Sequence, residues 1–166
     1  MDSVSALSGR GLISDDQRTM LAGFCRRWDC SPFEALIEAN MISESEFADH
    51  AADLSHLPRV KNVRMESFDE ISLDLLPFPF ARRRVCIVLG SDDSGEGRVV
   101  RVAIADPWDN EARLLVEGMV PAKVQWCVGE RSDIIEAIDR HFPFSSIVPH
   151  FWEALAGNAL AGKSRD

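Results

Sequence analysis

The 166-residue sequence has no apolar run long enough to span a membrane and no block of basic residues. A membrane helix needs about 20 consecutive apolar residues, and a nucleic-acid surface needs clustered Lys and Arg to neutralise phosphates. The formal net charge is −9, from 18 basic and 27 acidic side chains. The N-terminus also lacks the basic-then-apolar order of a signal peptide. These absences predict a cytoplasmic protein with no direct membrane insertion and no nucleic-acid partner.

Cysteine motifs for metal binding are lacking as well. The sequence has no C-x-x-C pair and no histidine at zinc-finger spacing from its four cysteines, Cys25, Cys30, Cys86 and Cys127. Two of them, Cys86 and Cys127, lie in apolar stretches, where a reduced thiol packs as a small hydrophobic side chain. We therefore expect no disulfide scaffold and no metal site.

Patterns for catalysis are missing or misplaced. The four histidines have no i, i+4 spacing, and there is no G-x-S-x-G nucleophile turn. Residues 157–164 spell the phosphate-loop pattern G-x-x-x-x-G-K-S, but such a loop lies between a strand and a helix, and helix is predicted before it. We expect a non-enzymatic protein. An ATPase fragment that uses Lys163 is the alternative if the chain is cut inside a longer protein.

Residues 1–57 predict a helical subdomain. Capping boxes that start at Ser14 and Ser43 satisfy free N–H groups at helix starts, and a proline in a first helical turn is a further start signal. Together they predict three helices, over about 15–27, 32–39 and 44–54.

Residues 72–142 alternate strand and helix patterns and predict a small α/β subdomain after a linker at 58–71. Two apolar runs predict a hairpin with strands at 85–89 and 99–105 and a turn over 90–97. The other predicted elements are helices over about 73–83, 107–118 and 131–141 and a strand over 124–128. We therefore predict an α+β fold with a sheet of three strands or slightly more, and an aromatic, then Ala-rich, partly helical tail over 143–166.

An internal repeat relates the two capping boxes. Gly11-Leu12-Ile13-Ser14 aligns with Asn40-Met41-Ile42-Ser43, an offset of 40 − 11 = 29 residues. The same offset aligns Ala6-Leu7 with Ala35-Leu36. Such a period indicates one supersecondary unit used twice, with each copy burying its apolar positions against the other.

Further motifs follow the repeat in a specific order and spacing. They are Leu75-Leu76-Pro77 with Ala81-Arg82-Arg83, then Val102 to Pro107, then Ile134 to Phe142. With these motifs the sequence resembles the N-terminal domain of type II secretion and type IV pilus assembly ATPases, including its cyclic di-GMP-binding MshEN subtype. The resemblance implies a non-catalytic domain that docks on partner proteins or senses the nucleotide, ahead of an ATPase or a membrane glycosyltransferase.

The sequence departs from the nucleotide-binding subtype at its motif ends. There each copy of the tandem motif opens with Arg-Leu-Gly and closes with Gln, whereas here the openings are Asp2-Ser3-Val4 and Ser31-Pro32-Phe33 and the closing positions hold Cys25 and Leu54. Since Arg is the side chain suited to bidentate phosphate contact, the resemblance implies the fold with degenerate cyclic di-GMP motifs. The residues it leaves for a nucleotide are Arg10, Gly11, Leu12, Ile13, Leu36, Ile37, Asn40 and Ile42.

The leading prediction is a regulatory or docking domain that binds a protein of a secretion or polysaccharide-synthesis system, such as an ATPase, a glycosyltransferase or a membrane platform. Apolar and aromatic side chains are expected to make the contact, and the candidates are Trp108, Phe144, Phe151 and Trp152. The alternative is a cyclic di-GMP receptor with a variant MshEN site. No cofactor is expected, and cyclic di-GMP is the one candidate ligand.

Overall fold

The computed structural model describes residues 2–66, 68, 75–94 and 97–142. This part of the chain forms seven α-helices and a three-stranded mixed sheet, which confirms the predicted α+β class and sheet size. The elements in chain order are α1 (Ser3–Gly9), α2 (Asp15–Trp28), α3 (Pro32–Glu38), α4 (Glu44–Ser55), a 3-10 turn (Val63–Met65), α5 (Phe78–Arg84), β1 (Cys86–Ser94), β2 (Gly97–Ile104), α6 (Asn110–Met119), β3 (Lys123–Val128) and α7 (Arg131–His141).

The four helices of the first half keep the 29-residue offset. Helix α3 starts 32 − 3 = 29 residues after α1, and α4 starts 44 − 15 = 29 residues after α2. The predicted capping boxes at Ser14 and Ser43 are both formed. Helix α1, which the capping signals did not reveal, is capped by Asp2, whose carboxylate accepts a hydrogen bond from the Ser5 N–H at 2.8 Å.

The turns inside the two helix pairs have the same backbone geometry. Gly11 and Asn40 are equivalent in the repeat and have positive φ angles of 73° and 51°. The Leu12 N–H then donates to the Leu7 carbonyl at 3.1 Å, and the equivalent bond in the second copy is 3.3 Å. Gly and Asn are the residues that adopt left-handed geometry most readily. The positive φ angles therefore explain why Gly and Asn occupy positions 11 and 40.

Strand β2 is central in the sheet, antiparallel to β1 and parallel to β3. The hairpin turn predicted over 90–97 is wrong, because β1 continues to Ser94, which pairs with Gly97. The strand passes a register irregularity between Val88 and Gly90. Backbone pairing therefore extends beyond the apolar run, into polar residues whose composition is typical of a turn.

Two helices begin later than their patterns predict. Helix α5 starts at Phe78 rather than at residue 73, since Pro77 is its N-cap; residues 73 and 74 lie outside the described part. Helix α6 starts at Asn110, with Asp109 as its N-cap. The Asp106 carboxylate, expected near the cap, instead accepts the Trp108 N–H at 3.1 Å in a separate turn, which moves the helix start past residue 107.

The segment over 58–66 packs into the fold. The Val60 N–H donates to the Val128 carbonyl at 2.8 Å, and the Val128 N–H donates to the Pro58 carbonyl at 2.9 Å. The segment thus forms a short parallel bridge beside β3. A few residues later Val63 is fully buried, so the chain between the two halves contributes to the core.

Buried apolar residues of both halves form one contiguous core. At the contact between the halves, the Phe47 ring of α4 lies 4.8 Å from the Phe33 ring and 6.3 Å from the Trp108 ring, measured between centroids. None of the helices in the described ranges is both long and apolar enough to cross a membrane.

Candidate functional site

The residues predicted to contact a nucleotide differ in exposure. Ile13 and Leu36 are buried in the core, so their side chains are not available to a ligand. Ile37 and Ile42 are half-buried. The exposed members of the set are Arg10, Gly11, Leu12 and Asn40. The accessible part of the predicted site is therefore the pair of turns that carry the left-handed residues.

One groove brings together two predicted functional residues from different halves of the chain. Its volume is about 280 Å³, and it is lined by Ser5, Ala6, Gly9, Arg10, Leu54 and Trp108. We call it the Trp108 groove. The sequence predicts that Arg10 contacts a nucleotide and that Trp108 contacts a partner protein. The Arg10 guanidinium makes an exposed ion pair with Asp53 at 3.1 Å, so an anionic ligand would compete with that carboxylate.

Trp108 also borders a second cleft, with a volume of about 230 Å³. Its polar lining includes Arg84 and the carboxyl groups of Asp106 and Asp109. Burial raises the pKa of Asp106 to about 7, against the lowering effect of the hydrogen bond from the Trp108 N–H. Arg84 pairs with Asp109 at 3.1 Å and with Glu111 at 2.6 Å, and the hydrogen bond to Glu111 raises the pKa of Arg84. The cleft thus holds the Asp106 carboxyl, which titrates near neutral pH, and the Arg84 guanidinium, whose charge is already paired with two carboxylates.

Three of the described cysteines are poor nucleophiles. Burial raises the pKa of the Cys86 thiol to about 12 and that of the Cys127 thiol to about 11. Burial also raises the pKa of Cys25, with a further contribution from Cys30. Within the described ranges, no three His, Cys, Asp or Glu side chains lie close enough together to hold a metal ion.

A third groove, not anticipated from the sequence, lies beside β3. Its volume is about 380 Å³, and it is lined by Pro58, Arg59, Val60, Arg101, Gln125, Trp126 and Cys127. We call it the edge groove. Arg59 is held there by ion pairs to Asp49 at 3.0 Å and Glu130 at 2.7 Å. The Trp126 indole N–H donates to Glu117 of α6 at 2.9 Å, which fixes the ring.

Helix α6 exposes large apolar side chains, which the sequence pattern did not single out. Leu114, Leu115 and Met119 are 70%, 45% and 37% exposed. Ala112 and Val116 of the same helix are fully buried. We call the three exposed side chains the α6 face. The other residues predicted to contact a partner, Phe144, Phe151 and Trp152, lie outside the described part of the chain.

Comparison with known proteins supports the predicted resemblance. The MshEN domain family model matches residues 62–147. A structure of MshE with cdg is 22% identical, with a TM-score of 0.64 over 86% of this chain and 99% of that one. The N-terminal domain of XpsE is 25% identical, with a TM-score of 0.67 over 84% of this chain and 92% of that one. No curated protein matches the sequence significantly.

The fold matches extend beyond the part of the chain that the family model matches. The family model spans 147 − 62 + 1 = 86 of the 166 residues, mostly in the second half. The structural matches extend over more than four-fifths of the chain and so take in helices of the first half. The resemblance to secretion-ATPase N-terminal domains is thereby confirmed, and the chain belongs to the MshEN domain family.

Proposed function

We propose that this chain is a cytoplasmic, non-catalytic docking domain that binds a partner protein of a secretion or polysaccharide-synthesis system. The observation that carries the proposal is the α6 face. Leu115 and Met119 lie one helical turn apart, and the neighbouring Leu114 is the most exposed of the three at 70%. Ala112 and Val116 of the same helix are buried in the core. Clustered exposed apolar side chains are typical of protein interaction surfaces, and their burial against a partner would be favourable.

The charge of the chain narrows the kind of partner. With a net charge of −9, long-range attraction favours encounter with a basic surface and disfavours an acidic one. An ATPase domain, a glycosyltransferase or a membrane platform with a basic face fits this requirement. The apolar contact on α6 then supplies affinity, and the charges supply encounter rate and selectivity.

Affinity capture with matched variants tests this function. The tagged chain is cross-linked in cells, and captured proteins are identified by mass spectrometry. We expect Leu115→Glu to reduce recovery of the partner by about tenfold or more, since it places a charge inside the apolar contact. Met65→Glu is the control, because Met65 is 76% exposed but lies in the 3-10 turn, outside the α6 face. Equal recovery with both variants, at unchanged helix content, would overturn the proposal.

A cyclic di-GMP receptor is the second candidate function. The Trp108 groove favours it, because a guanidinium and an aromatic ring line one opening, and these groups suit phosphate contact and base stacking. Calorimetric titration with cyclic di-GMP is the test. Saturable micromolar heat that Arg10→Ala removes and Arg18→Ala retains supports the receptor. Flat traces at high ligand concentration reject it.

A further inference from the structure

The outer edge of β3 has backbone groups that no described residue pairs. The Val128 N–H and C=O both bond to the 58–60 segment, which lies on the side of β3 opposite β2. In a parallel ladder the N–H and C=O of one residue point to the same side, and successive residues alternate. Val124 and Trp126 therefore turn their N–H and C=O groups outward. Within the described ranges, the bridge at Val128 is the only pairing on this edge.

The edge groove adds side chains to this row of backbone groups. Arg101 and Gln125 are partners in the β2–β3 register, so they lie on the same face of the sheet. Arg101 is half-buried and makes no ion pair with any described residue. Lys123, at the start of the strand, is exposed. Arg59 is already neutralised by Asp49 and Glu130. Arg101 and Lys123 are thus the cations along this edge that have no ion-pair partner among the described residues. The Glu66 carboxylate lies within electrostatic reach of Cys127 in the same groove and offsets part of this charge.

We propose that this edge binds an extended, acidic segment of the partner protein, which adds as a strand beside β3. The inference rests on the proposed docking function and deepens it by naming a second contact surface and its chemistry. Strand addition of this kind uses backbone hydrogen bonds for affinity and alternate side chains for specificity. At its far end the edge already carries one isolated parallel bridge, between Arg59 and Val128.

The pleat of the sheet determines on which face each side chain of the bound segment lies. Its residue beside Gln125 lies on the Arg101 face, two strand spacings or about 10 Å from the Arg101 backbone, a gap that Arg and Glu side chains together span. Its residues on either side lie on the opposite face, next to the apolar side chains of Val124 and Trp126. The edge therefore favours an apolar–acidic–apolar sequence in extended conformation.

A second copy of this chain is a poorer occupant. Pairing two β3 edges would bring Arg101 and Lys123 of both copies together, and like charges across a strand pair are destabilising. The bridge at Val128 also leaves an edge of only a few residues, from Lys123 to Trp126. Such a short site suits a linear segment of a larger partner, held in addition by the α6 face.

The experiment uses the full chain and a capped peptide, Gly-Ser-Thr-Val-Glu-Val-Thr-Ser-Gly, followed by amide NMR. We expect saturable binding with slowed hydrogen exchange at the Val124 and Trp126 amides. A peptide with Lys in place of Glu should bind with an affinity reduced by about tenfold or more. Arg101→Glu should weaken binding to the same extent, whereas Arg18→Glu, on α2, leaves it unchanged.

Several results would overturn the inference. They are no saturable binding at millimolar peptide, protection confined to amides outside β3, and equal binding of the Glu and Lys peptides. Protection of Val124 and Trp126 that grows with protein concentration alone would show that a second copy occupies the edge. Val124→Pro, which removes one outward N–H, should abolish binding; if it fails to fold, exchange in the unaltered chain and Arg101→Glu decide. If the peptide experiment fails but Leu115→Glu still reduces recovery of the partner, the strand-addition inference is wrong and the proposed docking function is still supported.

Discussion

At the scale of single residues, burial controls the protonation of Asp106. The carboxylate lies at the end of β2 and accepts the Trp108 N–H at 3.1 Å, which favours its charged form. Burial has the larger and opposite effect, and nearby Asp109 and Asp2 add to it, so the pKa rises from 3.8 to about 7. The side chain faces the cleft between the halves, and its charge changes near neutral pH.

We predict that Asp106→Asn flattens the pH dependence of stability. With a raised pKa, the folded state keeps a proton that the unfolded state releases, so wild-type stability is lost as pH rises from about 4 to about 7. The contribution is on the order of 4 kcal/mol, since one pKa unit corresponds to about 1.4 kcal/mol. Asn keeps an oxygen for the Trp108 N–H but does not titrate. Urea unfolding at several pH values measures the effect, with exposed Asp16→Asn as the control. Parallel curves for wild type and Asp106→Asn would contradict the prediction.

The candidate site shows what single-residue patterns leave out. The sequence singled out Arg10 and Trp108 for separate reasons, but nothing in their spacing indicates that they line one groove, because only the tertiary fold brings them together. The edge groove was missed altogether. Arg101 and Gln125 are ordinary strand residues, and their access to solvent depends on which strand ends the sheet. Residue types were readable from the sequence, and their proximity was not.

At the scale of elements, local chemistry decided which boundaries were predictable. The starts of α2, α3 and α4 follow from hydrogen bonds between residues three apart, which a sequence displays directly. The hairpin turn over 90–97 was wrong because pairing with β2 is a non-local interaction that carries polar residues of β1 into the ladder. Helix α1 was missed because Asp2 caps it without the second half of a capping box.

The turns of the repeat yield a stability prediction. We expect Gly11→Ala to destabilise the fold by about 1 kcal/mol, because alanine is strained at a φ of 73°. No atom lies within 4 Å of a methyl group added at Gly11, so the cost comes from the backbone alone. Gly9→Ala is the control, since its site is equally open and its φ is not positive. At the equivalent position, Asn40→Gly should be neutral or slightly stabilising. Urea unfolding measures all three, and equal stability of the two alanine variants would refute this account.

At the scale of the whole molecule, polar contacts join the two halves that the sequence pattern divides. The Arg59 side chain is 12% exposed and links Asp49 of α4 to Glu130, the N-cap of α7. Nearby, the Glu44 carboxylate accepts the Ser132 N–H at 2.7 Å. Helix α4 thus supplies charge to the start of α7, where negative groups are favourable. Added to the contiguous core, these contacts make the halves depend on each other for stability.

We therefore predict a single cooperative unfolding transition that a mutation in either half shifts as a whole. Phe47 is buried and contacts Phe33 in its own half and Trp108 in the other. Phe47→Ala should cost about 3–5 kcal/mol and lower hydrogen-exchange protection in β2 and β3 as much as in α4. Circular dichroism and tryptophan fluorescence should report coincident urea transitions.

Leu114→Ala is the matched control for that experiment, because Leu114 is 70% exposed on the α6 face and surface substitutions change stability by about 0.5 kcal/mol or less. If Phe47→Ala removed protection from the helices and left the sheet protected, the halves would be separate folding units. The predicted subdomain boundary would then also be a boundary in stability.

A shared loss of protection means that a partner bound at the α6 face or the β3 edge stabilises the helical repeat as well, since binding to the native state shifts the whole unfolding equilibrium.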